Sequence, residues 1–372
     1  VGDLLGWDGV CYDSGKVDGF WRELQDWLRR ELSDPYPIRL FIKVEPHAKK
    51  KVEAKRWRLI SSFSLREQVL DHMLFDAQND LEIENWHKLP FKAGMSLGGG
   101  GYRLFRDGAE WVASDKSAWD WTVPGWVIEA DFSFRCLMCV NSYVEDDGYK
   151  RWKHLAQIRY RQTYGMGAES GEGPILQLSD GRRFRQLQPG LVKSGSVNTI
   201  ATNSHAQVLL HEIAWRRAGL TAETDIWALG DDTVTRVPKG VSHQQILGEG
   251  GYLEHTGRLG CKIKFGEISR DPDFAGHRLL ETGPVPLYSS KHFFKIPFSR
   301  EVLEDVLDSY QRLYAKDPPR LRAIRRWTQR LAPTRLLSDM ALQCWYEGWE
   351  SLLPALKSSG AGLNAGSWTG VE

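Results

Sequence analysis

Net charge is almost absent: 49 lysines and arginines stand against 48 aspartates and glutamates, leaving a formal charge of +1 over 372 residues. A polyanionic partner would therefore have to be held by a local basic surface, not by a globally basic chain. Cysteine is scarce as well. The five thiols, Cys11, Cys136, Cys139, Cys261 and Cys344, make no disulfide framework and point to a reducing compartment, with the cytoplasm as the default. Cys136 and Cys139 have CxxC spacing, but they lie in the apolar run from Phe134 to Val140 and no second pair follows. A buried helix face is the better reading, because structural zinc needs four ligands. Long hydrophobic runs are also missing. No window approaches the roughly 18 uninterrupted apolar residues of a membrane span, and no signal-peptide pattern opens the chain, which favours a soluble or peripheral protein. The first residue is Val1 and not Met, as expected for a fragment or a product cut from a longer polypeptide.

What is present is a chain able to bury a large core: 41% of residues are hydrophobic and 26% charged, which excludes disordered and fibrous classes. Phe20, Trp21, Leu24, Trp27, Leu28 and Leu32 form one stripe of an amphipathic helix over residues 17–33, with Pro35 and Pro37 ending it. Arg39 to Glu45 alternates like a strand, and Trp57 to Ile60 is a second short strand after a basic loop, together a ribbon carrying cations. Ser64 and Glu67 make a capping box for a helix to about Leu81. Gly94 to Gly101 reads as a flexible loop without assigned chemistry. Trp111 to Ser114 is a strand running into Asp115, and a long apolar helix follows from Val127 to about Val144. Residues 145–190 are mixed. Asn203 to Ala218 is another helix, stopped by Gly219. Ile226 to Leu229 and Thr233 to Val237 flank Gly230-Asp231-Asp232 as a hairpin. Cys261 to Phe265 is a strand, and residues 300–354 read as helical throughout. This mixture gives an α+β core with a helical terminal part.

Two adjacent aspartates at a hairpin turn repel each other, and a divalent cation relieves the repulsion with the hard oxygen ligands that Mg²⁺ prefers. Alone, such a turn is more often only solvated. The reading changes with Asp115 and Asp120 at the end of a second strand, where Asp115 and Asp231 can meet across neighbouring strands. Three carboxylates on adjacent strand ends suit two metals that activate a hydroxyl and stabilise a leaving pyrophosphate. Between these segments, Lys193 to Ser204 is a glycine-containing loop opening a helix. Gly195 lets the backbone bend close to a template or base pair, and Thr199 and Asn203, four apart, face one direction, where polar groups can read a ribose 2′-hydroxyl. Taken alone it is simply a good capping segment. The basic run from Lys43 to Arg58 can neutralise triphosphates, although basic runs are usually solvated faces.

In this order, the four segments resemble the RNA-dependent RNA polymerases of positive-strand RNA viruses. The basic ribbon resembles motif F, Asp115 with Asp120 motif A, Ser194-Gly195 with Thr199 and Asn203-Ser204 motif B, and Gly230-Asp231-Asp232 motif C. The sequence is most similar to the sobemovirus and polerovirus-like group, through Lys43-Val44-Glu45-Pro46-His47, Arg56 to Ser62, His72-Met73-Leu74-Phe75 and Asp120-Trp121-Thr122-Val123. The resemblance spans about residues 38–280. It implies a right-hand polymerase: fingers over 1–110 and 145–190, a palm with an antiparallel sheet over 111–144 and 191–285, and a helical thumb over 286–372.

The resemblance further implies that Asp115 and Asp231 ligate metal, that Asp232 assists, and that Asp120 and Asn203 select the ribose, with Ser194, Gly195 and Thr199 in the nucleotide-binding loop. Lys43 and Arg58 are the implied triphosphate contacts, joined by Lys55 and Arg56. Lys262 and Lys264 are alternative general acids for pyrophosphate, and Phe274 to Arg278 is similar to motif E. Two Mg²⁺ ions, replaceable by Mn²⁺, are the implied cofactors. RNA template, nascent RNA and nucleoside triphosphates are the implied partners, and a protein primer and other viral replication proteins remain open. The implied location is the host cell cytoplasm, with room for peripheral attachment to membrane-associated replication complexes. Two departures stand out: no counterpart of the N-terminal template-contacting motif, and Lys116 where a small or hydrophobic residue is expected beside Asp115, its side chain pointing away along the strand. A reverse transcriptase is the rival enzyme, disfavoured by Leu229-Gly230, Asp120 and Asn203. A non-catalytic RNA-binding replication scaffold is the rival outside enzymes.

Overall fold

The computed structural model describes residues 2–47, 49–105, 107–139, 146–168 and 172–348. The chain divides into two compact units, one of Val1–Gly94 with Val112–Glu267, the other of Met95–Trp111 with Ile268–Glu372.

In the first unit, the short α1 (Gly2–Leu5) precedes α2 (Ser14–Arg29), capped by Asp13, which accepts from the Lys16 N–H at 2.8 Å. The helix stops before residue 33, earlier than its apolar stripe suggests. Glu31 and Leu32 adopt left-handed φ of 52° and 54°, which turns Leu32 back into a cluster with Leu24, Trp27, Leu70 and Leu155. Burial of Leu32 is thus kept while the helix is given up.

Strand β1 (Ile38–Ile42) pairs antiparallel with β2 (Leu59–Ser62), in a register that sets Arg39 opposite Ser62. Both strands are displaced from the spans expected, and the basic stretch between them contains the short helix α3 (Lys49–Glu53). Helix α4 (Leu65–Glu84) begins with the expected Ser64–Glu67 capping box. Then come β3 (Trp111–Lys116), α5 (Trp119–Thr122), α6 (Gly125–Met138) and α7 (Asp147–Tyr164). Residues 140–144, expected in α6, lie outside the described residues. A buried pair from Arg159 Nε and Nη2 to the two Asp71 oxygens, at 2.6 and 2.9 Å, fastens α7 to α4.

Strands β4 (Ile175–Leu178) and β5 (Arg183–Arg185) extend the first sheet to the order β2-β1-β4-β5, with β4 parallel to β1. Helix α8 (Thr199–Arg217) starts four residues before the span expected and is buried along most of its length. It packs against α6, against β6 (Ile226–Leu229) and against α10 (Tyr252–Arg258), which follows β7 (Asp232–Arg236) and α9 (His243–Leu247). Strand β8 (Ile263–Ser269) completes a second sheet of order β6-β7-β3-β8. Cys261 and Lys262 precede this strand.

In the second unit, β9 (Asp273–Phe274), β10 (His277–Leu280) and β11 (Gly283–Pro286) form an antiparallel sheet. The turn that carries Phe274 to Arg278 has positive φ at both Ala275 (50°) and Gly276 (73°), the pattern of a type I′ hairpin. Helices α11 (Ser289–Lys295), α12 (Leu303–Leu313), α13 (Pro318–Leu331) and α14 (Asp339–Glu347) follow, with Leu307, Tyr314, Ile324 and Ala332 as their core. The helical run is therefore interrupted, at Asp317-Pro318 and around Pro333, where proline starts a helix better than it continues one. The glycine loop is tied down: the N–H groups of Gly99 and Gly100 donate to the Trp345 and Tyr346 carbonyls at 2.7 and 2.6 Å.

Candidate active site

The hairpin of β6 and β7 closes with Leu229 opposite Asp232, leaving Gly230 and Asp231 as a two-residue turn. Gly230 has φ 64°, and its place as the first turn residue matches a type II′ turn. The Gly230 N–H donates to the buried Ser204 Oγ of α8 at 2.9 Å, and Ser204 donates in turn to the Ile200 carbonyl at 2.8 Å. The helix thus fixes the turn that presents Asp231.

Asp115 stands near the end of β3, the strand beside β7. Partial burial, then the charges of Asp231 and Asp115, push the Asp232 carboxyl up to about 6. The three carboxylates therefore share one electrostatic neighbourhood. Among the described residues, no three His, Cys, Asp or Glu side chains already close around a metal position. The Lys264 Nζ on β8 instead pairs with Asp115 Oδ2 at 2.7 Å. An ammonium against this carboxylate and unrelieved repulsion at Asp232 both fit a place that takes positive charge, and the donor set is the hard-oxygen set of Mg²⁺. Lys262 contributes its backbone, its carbonyl accepting from the Ser117 N–H at 2.8 Å.

Lys116 projects from the other face of β3, as a strand requires, but it is buried and not solvated. Its Nζ donates to Thr233 Oγ1 at 3.2 Å and Ser114 Oγ at 3.4 Å. Burial lowers its pKa to about 8, against the opposing pull of Cys261 and of Asp231, Asp115 and Asp232. This cation under the aspartates is a feature the sequence flagged without explaining.

Asp120 lies in α5, which is turned off β3 by Ala118 at φ 51°. The Asn203 Nδ2 donates to Asp120 Oδ1 at 3.1 Å, while Asn203 Oδ1 accepts from Trp119 Nε1 at 2.8 Å. Since an indole N–H can only donate, the Asn203 amide orientation is determined. Burial raises the Asp120 pKa, the Asn203 bond opposes this, and Asp231 and Arg58 act on it in opposite senses. Arg58 therefore belongs to the same neighbourhood.

The loop from Lys193 to Asn198 is spent on internal contacts. Thr199 Oγ1 lies 2.8 Å from both the Lys193 and Ser196 carbonyls, and Ser194 Oγ donates to the Leu59 carbonyl at 3.3 Å. A Cβ on Gly195 would sit 1.8 Å from the Ser61 carbonyl oxygen, so this glycine allows close approach to β2, where the sequence suggested a template. The Lys193 ammonium is buried, lowered by that burial to about 7, and holds the Leu191 carbonyl at 2.9 Å and the Gln186 side chain.

The Lys43 N–H donates to the Arg58 carbonyl at 2.8 Å, and both side chains face Glu45, at 3.7 and 3.3 Å. Lys55 and Arg56 are exposed beyond α3, and among the described residues no hydrogen bond or ion pair joins their side chains to the aspartates. Sequence reasoning also missed a buried network below the site. His205 Nδ1 meets Asp131 Oδ1 at 2.5 Å and its Nε2 meets Glu82 at 2.9 Å, while Thr202 Oγ1 and Tyr160 Oη both donate to Asp131 Oδ2 at 2.7 Å. Burial opposes the His205 cation, but the bonds to Asp131 and Glu82 win and raise its pKa. A lone aspartate in the apolar α6 was the available signal.

The model of the viral RNA-directed RNA-polymerase family matches residues 21–106 and 173–268. These stretches hold the basic ribbon, the loop before α8, the aspartate hairpin and Lys264, and leave out Asp115 and Asp120. The replicase polyprotein P2AB of Southern bean mosaic virus is 38% identical over 217 residues, 56% of this chain and 20% of the polyprotein. Its counterpart from Southern cowpea mosaic virus is 34% identical over 291 residues, 73% of this chain and 27% of the polyprotein. The RNA-directed RNA polymerase of Mushroom bacilliform virus is 29% identical over 276 residues, 71% of this chain and 60% of that protein. The chain thus spans about a fifth to a quarter of the polyproteins it matches. With its aspartate hairpin, basic ribbon and α8 loop inside the matched stretches, the chain belongs to the viral RNA-directed RNA polymerases, in the group of sobemoviral, poleroviral and related replicases.

Proposed function

We propose that this chain carries out template-directed RNA synthesis, adding nucleotides from nucleoside triphosphates to an RNA 3′ end to replicate a viral genome. The observation that carries this reading is the gathering of Asp115, Asp231 and Asp232 beside an Asp120–Asn203 pair at the end of one sheet. Asp115 and Asp231 would hold Mg²⁺, or Mn²⁺ in its place, with Asp232 assisting. When bound, a pair of such ions supplies activation of the attacking 3′-hydroxyl and charge stabilisation of the leaving pyrophosphate.

The chain's own residues do the rest. Asp120 and Asn203 form a polar pair that would contact the ribose, with the Asn203 amide already oriented by Trp119. Arg58 and Lys43, opposite each other at the end of the β1–β2 ribbon, draw in triphosphate charge. Lys264, paired with Asp115, would serve as the proton donor to pyrophosphate. We assign residues 1–110 and 145–190 to fingers, 111–144 and 191–285 to a palm, and 286–372 to a thumb. No helix among the described residues is long and apolar enough to cross a membrane. A peripheral place on cytoplasmic replication complexes is consistent with that.

Extension of a primed RNA template with ribonucleotides and Mg²⁺ tests the proposal. Preference for deoxyribonucleotides would favour reverse transcription, and RNA binding without extension would favour a replication scaffold.

A further inference from the structure

Arginine three residues before a hydroxyl is the charge pattern that a serine or threonine kinase with an acidic substrate groove takes. The chain has four such hydroxyls, Ser33, Ser61, Thr328 and Ser338, after Arg30, Arg58, Arg325 and Arg335. The fold withdraws three of them. Ser61 and Thr328 are buried, at 8% and 0% exposure, and Ser33 follows Glu31 and Leu32 in left-handed backbone. Ser338 is exposed, and the backbone leading to it is extended, with φ −71° and ψ 117° at Leu336 and φ −72° and ψ 162° at Ser338 itself. The buried Gln311 amide holds this stretch open, accepting from the Leu337 N–H and donating to the Arg335 carbonyl, both at 2.9 Å. Arg335 stays reachable, since its pairs with Glu304 and Asp305, at 3.6 and 3.4 Å, are long and exposed.

Ser338 also lines a cavity of about 530 Å³ between α13 and the start of α14, together with Arg322, Arg325, Arg326 and Asp339. Arg322 and Arg326, one turn apart on α13, share a face, and among the described residues neither has a carboxylate within ion-pair distance. Arg325 reaches to either side of Ser338. Its Nη1 meets Asp339 Oδ1 at 2.6 Å and its Nη2 donates to the Leu337 carbonyl at 3.0 Å, while its buried Nε has no hydrogen-bond partner. Three guanidiniums thus face one carboxylate. A phosphoserine, at about −1.5 to −2, would balance that excess.

We propose that Ser338 is a modification site: an arginine-directed serine kinase phosphorylates it, and the phosphate is held by Arg322, Arg325 and Arg326. In the transfer, the Ser338 Oγ bonds to the γ-phosphorus of ATP as the bond to the bridging oxygen of the leaving ADP breaks, and the hydroxyl proton passes to the kinase's catalytic carboxylate. The phosphate then ties α13 to the first turn of α14 through charge-assisted bonds. The far end of α14 holds the glycine loop through the Trp345 and Tyr346 carbonyls, so the modification braces that loop as well. None of this depends on the proposed RNA synthesis.

The full chain is incubated with ATP and a calmodulin-dependent serine kinase selective for arginine three residues before the acceptor, and the product is mapped by mass spectrometry. Phosphate is expected on Ser338 and lost in Ser338→Ala. Arg335→Gln should reduce it about tenfold or more, the worth of one hydrogen bond to a charged group. Phosphorylation should raise the thermal midpoint by about 4 °C and slow amide exchange at Gly99 and Gly100. Neither change should appear in phosphorylated Arg322→Gln/Arg326→Gln. Phosphorus NMR should place the second phosphate pKa below its usual value of about 6, because the arginines favour the dianion. A folded chain that accepts no phosphate at Ser338, or accepts it mainly at Ser33, overturns the proposal. So does a midpoint gain that survives in Arg322→Gln/Arg326→Gln. A phosphate pKa that stays near 6 overturns it too, and that result needs no arginine variant to fold.

Discussion

Replacing Ser204 by alanine removes one oxygen that holds the aspartate turn in place. Ser204 is 1% exposed, and its Oγ accepts from the Gly230 N–H at 2.9 Å. Alanine leaves that N–H buried without a partner, at a cost of about 1–3 kcal/mol. For a unit of this size, each kcal/mol lowers the melting temperature by roughly 2–4 °C, so a fall of about 4–8 °C is expected for a mid-range 2 kcal/mol. The same bond sets the position of the turn that carries Asp231. If its loss appears fully in the transition state, kcat falls roughly 5- to 150-fold. The assay is single-nucleotide incorporation into a primed template under saturating nucleotide, alongside a thermal melt. The turn's position predicts that kcat drops while KM for nucleotide stays near its original value. A variant with unchanged melting temperature and unchanged kcat would refute the reasoning that α8 positions the turn.

Three further outcomes follow from other contacts. Gly195→Ala places a Cβ 1.8 Å from the Ser61 carbonyl oxygen, so the loop before α8 must leave β2; extension activity should be lost with a lower melting temperature, and an unperturbed variant would remove the close approach from the account. His211 is buried, which lowers its pKa from 6.5 to about 4, with Lys116 adding to the effect, so the unfolded chain takes up a proton first as the pH falls. Stability should therefore decline below about pH 6.5, by about 2 kcal/mol at pH 5. Urea midpoints at pH 7.5 and 5 should converge in His211→Asn relative to the parent, and an identical pH dependence in both proteins would contradict this. Lys264→Met removes a half-exposed ion pair worth at most about 1 kcal/mol, so the fold should persist. Mn²⁺ binding followed by electron paramagnetic resonance should tighten in that variant, because Asp115 loses its competing cation; weaker binding would mean that Lys264 does not compete for the site.

What the sequence disclosed depended on how local each cause is. The capping box at Ser64 and Glu67 and the hairpin around Gly230 are made by residues within a few positions of one another; the box stands where the pattern put it, and the hairpin differs only in that Asp232 belongs to the strand and not to the turn. The end of α2 was misread because its stop is tertiary: Leu32 leaves the helix to join Leu70 and Leu155, which are remote in sequence. The run after residue 300 was read as continuous although Pro318 and Pro333 mark its breaks. At the candidate site, Asp115, Asp120, Asn203, Asp231 and Asp232 could be named from spacing and resemblance. The work done by Thr199 and Gly195 could not, since it depends on which carbonyls lie nearby. The contacts made by Lys116 and Ser204, both named in the sequence, and the His205–Asp131–Glu82 network are invisible to spacing for the same reason. Each acquires its role from a partner on another element.

The central claim, that the three aspartates perform nucleotidyl transfer to RNA, is tested most directly by one measurement. A single ribonucleotide is offered with Mg²⁺ to a primed RNA template, with the parent chain and with Asp231→Asn. The account predicts one-nucleotide extension by the parent, and none above background by the variant at equal RNA affinity. Equal extension by both proteins would contradict it.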